Sequence, residues 1–262
     1  MQNNIHTLLD PLHLDDLNNP LHPSVYVEHE SYNFLILRFP IADENDQISA
    51  FSQGIVITDE KIFLYEREKI FIPLESDWES LHKILDKYID QSLDLVNSLR
   101  EQILGIEETL LHKTFKKTFL HNWFRIRKEL VAMNRILIRT NLIYEQFFQK
   151  NEKYFTPYIH SFHDLFEHLS RSQRYVDHDI EKLNTLYNFY SARNNDRMNE
   201  SIYLLTLLSA FSLPPIFLVG YFGMNTGSMP FTQTGGTMTV TWLLVWISMI
   251  LFMFFLFKRY KN

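Results

Sequence analysis

The sequence contains no cysteine. That excludes disulfides, thiolate metal sites and thiol catalysis, and it fits, without requiring, a reducing compartment. Charged side chains and histidine are missing from Ser201 to Phe257, where no Asp, Glu, Lys, Arg or His occurs. A soluble fold rarely leaves so long a stretch uncharged, whereas a bilayer demands it. Catalytic signatures are absent too. There is no Walker loop, dinucleotide fingerprint, HExxH pair or G-x-S-x-G elbow, so the residues give no reason to expect an enzyme or an ATP-driven pump. A basic excess is lacking as well: the formal net charge of −6 argues against a nucleic-acid surface and leaves cations as suitable partners. The opening MQNNIHTLLDPLHLDDLNNPLHP is acidic and broken by prolines. It has neither the basic start nor the apolar core of a secretory signal, so residues 1–198 are expected to remain in the cytoplasm.

The residues present imply an α+β cytoplasmic domain that continues into membrane helices. Residues 24–72 are β-rich: SVYVEH, YNFLILRF, GIVITD and KIFLYER alternate with polar breaks, predicting a small, mostly antiparallel sheet closed by Pro73. Residues 76–198 predict long helices. Ser76 with Glu79 has capping-box spacing, and Leu81, Ile84, Leu85, Tyr88, Ile89, Leu93, Val96, Leu99 and Ile103 recur at helical intervals. A second helix is expected over 115–149. A third begins near His160 and meets no Gly or Pro before Pro214, which allows a stalk on the order of 80 Å long at ~1.5 Å per residue. Such a rod would carry a tilt or twist from one end to the other.

Residues 199–262 are expected to form a transmembrane domain, with spans at 201–222 and 239–257, an outer loop at 223–238 and a basic tail at 258–262. As helices the spans reach about 33 and 28 Å, against a hydrocarbon core of ~30 Å. Two buried core helices are the alternative, but such helices usually keep a polar face. Arg193 and Arg197 precede the first span, Lys258, Arg259 and Lys261 follow the second, and the loop has no basic residue. The positive-inside rule then puts both termini in the cytoplasm and the loop outside, as for a multi-pass protein of the inner (cytoplasmic) membrane.

Two helices cannot enclose an aqueous path, so conduction requires several copies around an axis. The second span, with Trp242, Trp246 and many Phe, suits the lipid side. The first carries a stripe of Asn199, Ile202, Thr206, Ser209, Leu213, Ile216 and Gly220, with Leu205 beside Thr206. This stripe can line a conduit or serve plain helix packing. Pro214 and Pro215 remove the donors to the carbonyls of Ala210 and Phe211, giving a kink or a kink with exposed oxygens. Gly223 permits a sharp exit, and Asn225 then offers a neutral oxygen. A ring of such oxygens can hold the water shell of Mg²⁺ weakly enough for release.

The stretch NDRMNESIYLLTLLSAFSLPPIFLVGYFGMN, placed before a short loop, one more span and a basic end, resembles the CorA-type divalent-cation transporters. The resemblance covers the whole layout. It implies a funnel-shaped homopentamer that carries Mg²⁺ inward, with Gly223, Met224 and Asn225 as selectivity mouth. By position, Asn199, Ile202, Leu205, Ser209 and Leu213 would line the conduit, and Ile202, Leu205 and Leu213 are candidate gates. Members that carry magnesium commonly continue with Met-Pro-Glu, whereas here Met229 and Pro230 precede Phe231 in an acid-free loop. That loop is similar to the ZntB branch associated with Zn²⁺. Carriage of Zn²⁺, Co²⁺ or Ni²⁺ therefore stands beside Mg²⁺, and a membrane-anchored scaffold or signalling protein is the alternative of another class.

Asp164 and His168 lie four apart on the third helix, as do His163 and Glu167, and DHDIE follows at 177–181. The spacing suits metal ligands on one helix face, or a solvated row of paired charges. By resemblance, Asp164, His168 and Asp177 are candidate regulatory Mg²⁺ ligands between subunits. HKTFKKTFLHNWFRIRKEL mixes basic and aromatic residues. In an acidic chain it reads as stalk packing or headgroup contact rather than nucleic-acid binding. The only ligands implied are the divalent cations, with no organic cofactor.

Overall fold

A computed structural model describes residues 9–19, 22–43, 47–66, 70–111, 118–224 and 235–261. They form two compact units, residues 1–188 and 189–262. In the first, a short helix α1 (Pro11–Asn18) precedes five strands: β1 (Val25–Glu28), β2 (Asn33–Ala42), β3 (Ile48–Ile57), β4 (Ile62–Glu66) and β5 (Ile70–Pro73). They make one antiparallel meander in sequence order. Long helices follow, α2 (Asp77–Leu111), α3 (Phe119–Asn151) and α4 (Ile159–Phe222), the last entered through a 3₁₀ turn at Thr156–Tyr158; α5 (Gly236–Lys261) closes the chain.

Both faces of β2 are buried, which explains its nearly unbroken apolar run FLILRF. Phe34 and Ile36 join Val56, Phe71, Leu9 and Leu17 beneath α1. On the helical side Phe39 stacks on Tyr88 of α2 at 5.3 Å, and Phe51 meets the same ring at 5.0 Å. β1 pairs β2 only as far as Ile36. Pro40, which has no N–H to give, sits beyond that point, where β3 alone pairs the strand. The N–H of Arg38 is taken up by Ser24 Oγ at 3.0 Å. The guanidinium of Arg38 donates to the carbonyls of Asp16 and Asn19 at 3.2 and 2.6 Å, holding the C-terminal end of α1, where cations are favoured.

The sheet is longer than the strand-like segments of the sequence. β3 begins at Ile48, through the polar residues Ser49, Ser52 and Gln53, and β5 adds a fifth strand. The start of α2 also departs from expectation. Ser80 Oγ, not Glu79, accepts from the Ser76 N–H at 3.3 Å. Glu79 instead pairs with Lys83 one turn on at 2.6 Å, because an i,i+4 partner lies within easier reach. Asp77 takes φ 21° at this junction, and its carboxylate accepts the Ile62 N–H at 3.1 Å.

The bundle of α2, α3 and α4 follows heptad logic. On α4 the buried residues are Phe162, Leu165, Leu169, Ser172, Val176, Asp179, Leu183 and Leu186, in steps of three and four. Tyr144 of α3 is fully buried and donates to the Phe162 carbonyl at 2.8 Å, and Trp123 Nε1 donates to that of Leu183 at 2.9 Å. Polar groups interrupt this core, and Asp179 is the most deeply buried of its charged ones. Asp179 is 1% exposed and faces Arg100 of α2, Nε to Oδ2 3.3 Å, with the guanidinium 4.2 Å over the Tyr175 ring.

Candidate functional site

α4 continues through Pro214 and Pro215 to Phe222. Neither proline ends it, although each removes one i→i−4 bond. It is long and apolar enough to cross a membrane, and none of its apolar window is buried. Within α5 the apolar stretch is the shorter Met238–Ile250.

Within residues 189–262 the two helices touch along one face. Tyr203, Leu207, Pro214, Leu218 and Phe222 of α4 are half-buried, as are Val240 and Leu244 of α5, and Ser248 is buried. Phe211 and Phe252 meet with ring centres 5.5 Å apart. Pro215, Leu218, Phe222, Thr241 and Leu244 line a cleft of about 240 Å³ between them.

The stripe singled out in the sequence faces elsewhere. Asn199, Ile202, Leu205, Thr206, Ser209, Leu213, Ile216 and Gly220 are all exposed. At about 100° per residue the stripe is centred roughly two-fifths of a turn from the face against α5. Packing between these two helices therefore does not account for it. The Thr206 hydroxyl donates to the Ile202 carbonyl at 2.8 Å, so its proton is taken up by the helix's own backbone.

At the end of α4, Gly223 N–H bonds the Val219 carbonyl at 2.9 Å. A Cβ at Gly223 would stand 2.9 Å from that same oxygen, closer than side chains come, so this exit requires glycine. At Gly220 a Cβ would meet nothing within 4 Å. Met224 is exposed. Asn225, the third residue of the predicted mouth, lies outside the described residues, as does most of the loop that follows.

Asp164 and His168 are brought together, His168 Nε2 to Asp164 Oδ1 3.5 Å, and His163 and Glu167 likewise at 3.7 Å. Asp177 is not with them. It accepts from Asn134 Nδ2 at 2.8 Å, about 20 Å along α4 from Asp164. Among the described residues no three His, Asp or Glu side chains converge on a possible metal position. The pair that sequence reasoning missed is Arg100–Asp179, with Tyr175, His178 and Lys182 around a groove of about 460 Å³. Its signal was an aspartate at a core heptad position inside DHDIE.

Residues 3–259 match the family described as CorA-like Mg²⁺ transporter protein. The chain belongs to that family. It is similar to the protein YfjQ of Bacillus subtilis, at 28% identity over 57% of this chain and 47% of the other. It is also similar to the cobalt/magnesium transport protein CorA of Thermotoga maritima, at 22% identity over 85% of this chain and 68% of that one. The match to YfjQ thus spans about half of that relative's length. The fold is shared with the CorA magnesium transporter of Methanocaldococcus jannaschii, with a TM-score of 0.76 at 18% identity, covering 96% and 84% of the two chains. The small antiparallel sheet followed by long helices is thus a CorA-family architecture.

Proposed function

We propose that this chain is one subunit of an oligomeric divalent-cation transporter of the membrane, with Mg²⁺ as its cargo. The observation that carries the reading is the exposed, charge-free stripe on α4, turned away from α5 and ending at Gly223 and Met224. A single chain leaves that stripe in solvent; a ring of chains, a homopentamer by kinship, would turn it onto a shared axis. In this reading residues 201–222 and 239–257 both span, the 223–238 loop is outside, and residues 1–198 and 258–262 are cytoplasmic. Asn199, Ile202, Leu205, Thr206, Ser209, Leu213, Ile216 and Gly220 line the conduit.

Gly223 lets the chain turn at the mouth, and Asn225, one per subunit, accepts hydrogen bonds from the ion's water shell. Neutral oxygens bind a hydrated divalent ion loosely enough to let it go. The membrane potential supplies about 4.6 kcal/mol per divalent ion at 100 mV, from ~2.3 per charge, so uptake needs no second ion. Asp164, His168 and Asp177 remain candidate cytoplasmic Mg²⁺ ligands. Because one chain keeps Asp164 and Asp177 apart, shared coordination would need residues of a neighbouring copy.

One observation favours a second cargo: the loop after Gly-Met-Asn has no acidic residue, as in the ZntB branch, which points to Zn²⁺ with Co²⁺ and Ni²⁺ as further candidates. The test is divalent flux into liposomes by the purified chain and by Asn225→Ala, with Mg²⁺ and Zn²⁺ in competition, with and without a proton gradient. Flux in the parent that is lost in the variant is expected. Absence of flux from both would replace transport by a scaffold role.

A further inference from the structure

The bundle of α2, α3 and α4 buries one seam of each helix and leaves two others uncovered, of opposite character. On α3, Phe124, Lys128, Val131, Arg135, Ile138 and Leu142 are all exposed, in steps of 4-3-4-3-4. Four of these are large apolar side chains, with Phe124 62% exposed, and the exposed Arg127 and Arg139 flank them. On α2, Asp90, Asp94, Asn97, Glu101, Leu104 and Glu108 are all exposed in the same 4-3-4-3-4 spacing. Each seam is about 27 Å long. Within one chain they cannot meet, because α2 and α3 already pack through other faces, with Arg125 Nη2 donating to Gln102 Oε1 at 2.6 Å.

We propose that the basic-apolar seam of α3 docks on the acidic seam of α2 in a second copy of this chain. Two seams of equal length, equal period and opposite charge on one molecule form a head-to-tail interface, the kind that closes into a ring. Phe124, Val131 and Ile138 would leave water together with Leu104. Lys128 and Arg135 would face the α2 carboxylates, fixing partner and register more than raw affinity. An anionic bilayer could also take a basic, apolar helix face, but it would leave the matching acidic seam unexplained, whereas a second copy accounts for both. This deepens the oligomeric part of the reading above.

The absence of cysteine makes the test direct. Two differently tagged full-length chains, Glu101→Cys and Val131→Cys, are co-expressed, kept in native-like lipid and treated with a bifunctional maleimide. A cross-link between the tags is expected, at least about tenfold more efficient than for Glu101→Cys with Gln149→Cys, an exposed position beyond the seam. Lys128→Glu with Arg135→Glu should abolish it. Adding Asp94→Lys and Glu108→Lys to the Glu101→Cys chain, so that two charges on each side are exchanged across the interface, should restore it, which a merely misfolded variant would not allow. A yield no higher than the control overturns the proposal even if divalent flux is normal; a cross-link without flux leaves the interface standing and sinks transport instead. Should the reversal on α3 leave cross-linking unchanged while abolishing binding to phosphatidylserine vesicles, the seam belongs to lipid and the proposal fails.

Discussion

Replacing Arg100 with Met isolates the buried carboxylate of Asp179. That side chain is 2% exposed and its partner 32% exposed, with Arg100 Nε 3.3 Å from Oδ2. Methionine keeps much of the arginine stem's volume and its contact with Tyr175 but removes the cation. Removing one partner of a buried pair typically costs about 3–5 kcal/mol, since the remaining charge is left desolvated. Because Arg100 is partly wetted, the low end applies, on the order of 3 kcal/mol. At roughly 2–4 °C per kcal/mol for a unit of this size, melting should fall by about 6–12 °C. Thermal unfolding of the full chain in detergent, followed by helical circular dichroism, measures it. The double change Arg100→Met with Asp179→Leu should recover most of the loss, because an apolar pair fits the heptad core formed by Val176 and Leu183. A single-variant shift below about 2 °C, or a double variant no better than the single, would refute the reasoning.

Burial, reinforced by His29 and opposed by Asp10 and Asp16, lowers the His13 pKa from its ordinary 6.5. The unfolded chain therefore takes up the proton first, and stability present above 6.5 is lost as pH falls from there toward the lowered folded value. Protection of the α1 amides, corrected for the intrinsic exchange rate, should fall over that window as pH is lowered, and most of this dependence should vanish in His13→Phe. Gly223→Ala should displace the end of α4 and cut divalent flux at least about tenfold, since the added Cβ meets the Val219 carbonyl. Leu169→Ala, at a fully buried bundle position, should cost about 2–5 kcal/mol in a denaturant titration. Leu205→Asn, on the exposed stripe of α4, should raise basal flux if a dewetted constriction holds the conduit shut. Unchanged flux would remove Leu205 as a gate.

The long helices were legible because their apolar residues recur in steps of three and four over many turns, a pattern that no strand reproduces. β2 was legible from its continuous apolar run. β5 was not, since Ile70–Pro73 is only four residues long, although Pro73 does close the sheet, paired with Phe63 at the end of the ladder. The polar half of β3 was hidden because Ser49, Ser52 and Gln53 break the apolar run, while its ladder to β2 is made of backbone bonds that residue type does not report. Glu79 was assigned to a cap it does not make, since spacing alone cannot rank Ser76 against Lys83. For the candidate site, the glycine requirement at Gly223 followed from its place at the end of an apolar helix. The pairing of Arg100 with Asp179 could not be read, because 79 residues separate them in the chain.

Gly54 sets how closely α1 approaches the sheet. A Cβ there would stand 2.3 Å from Leu17 Cδ1 and 3.1 Å from Tyr65 Cβ, so even alanine would push the buried Leu17 side chain off its seat. What lies underneath is Phe34, Ile36, Val56 and Phe71, an apolar surface on which Leu17 and Leu14 of α1 pack. A bulkier side chain at this one strand position would thus loosen the hold of α1 and bare a patch that invites neighbouring chains during synthesis.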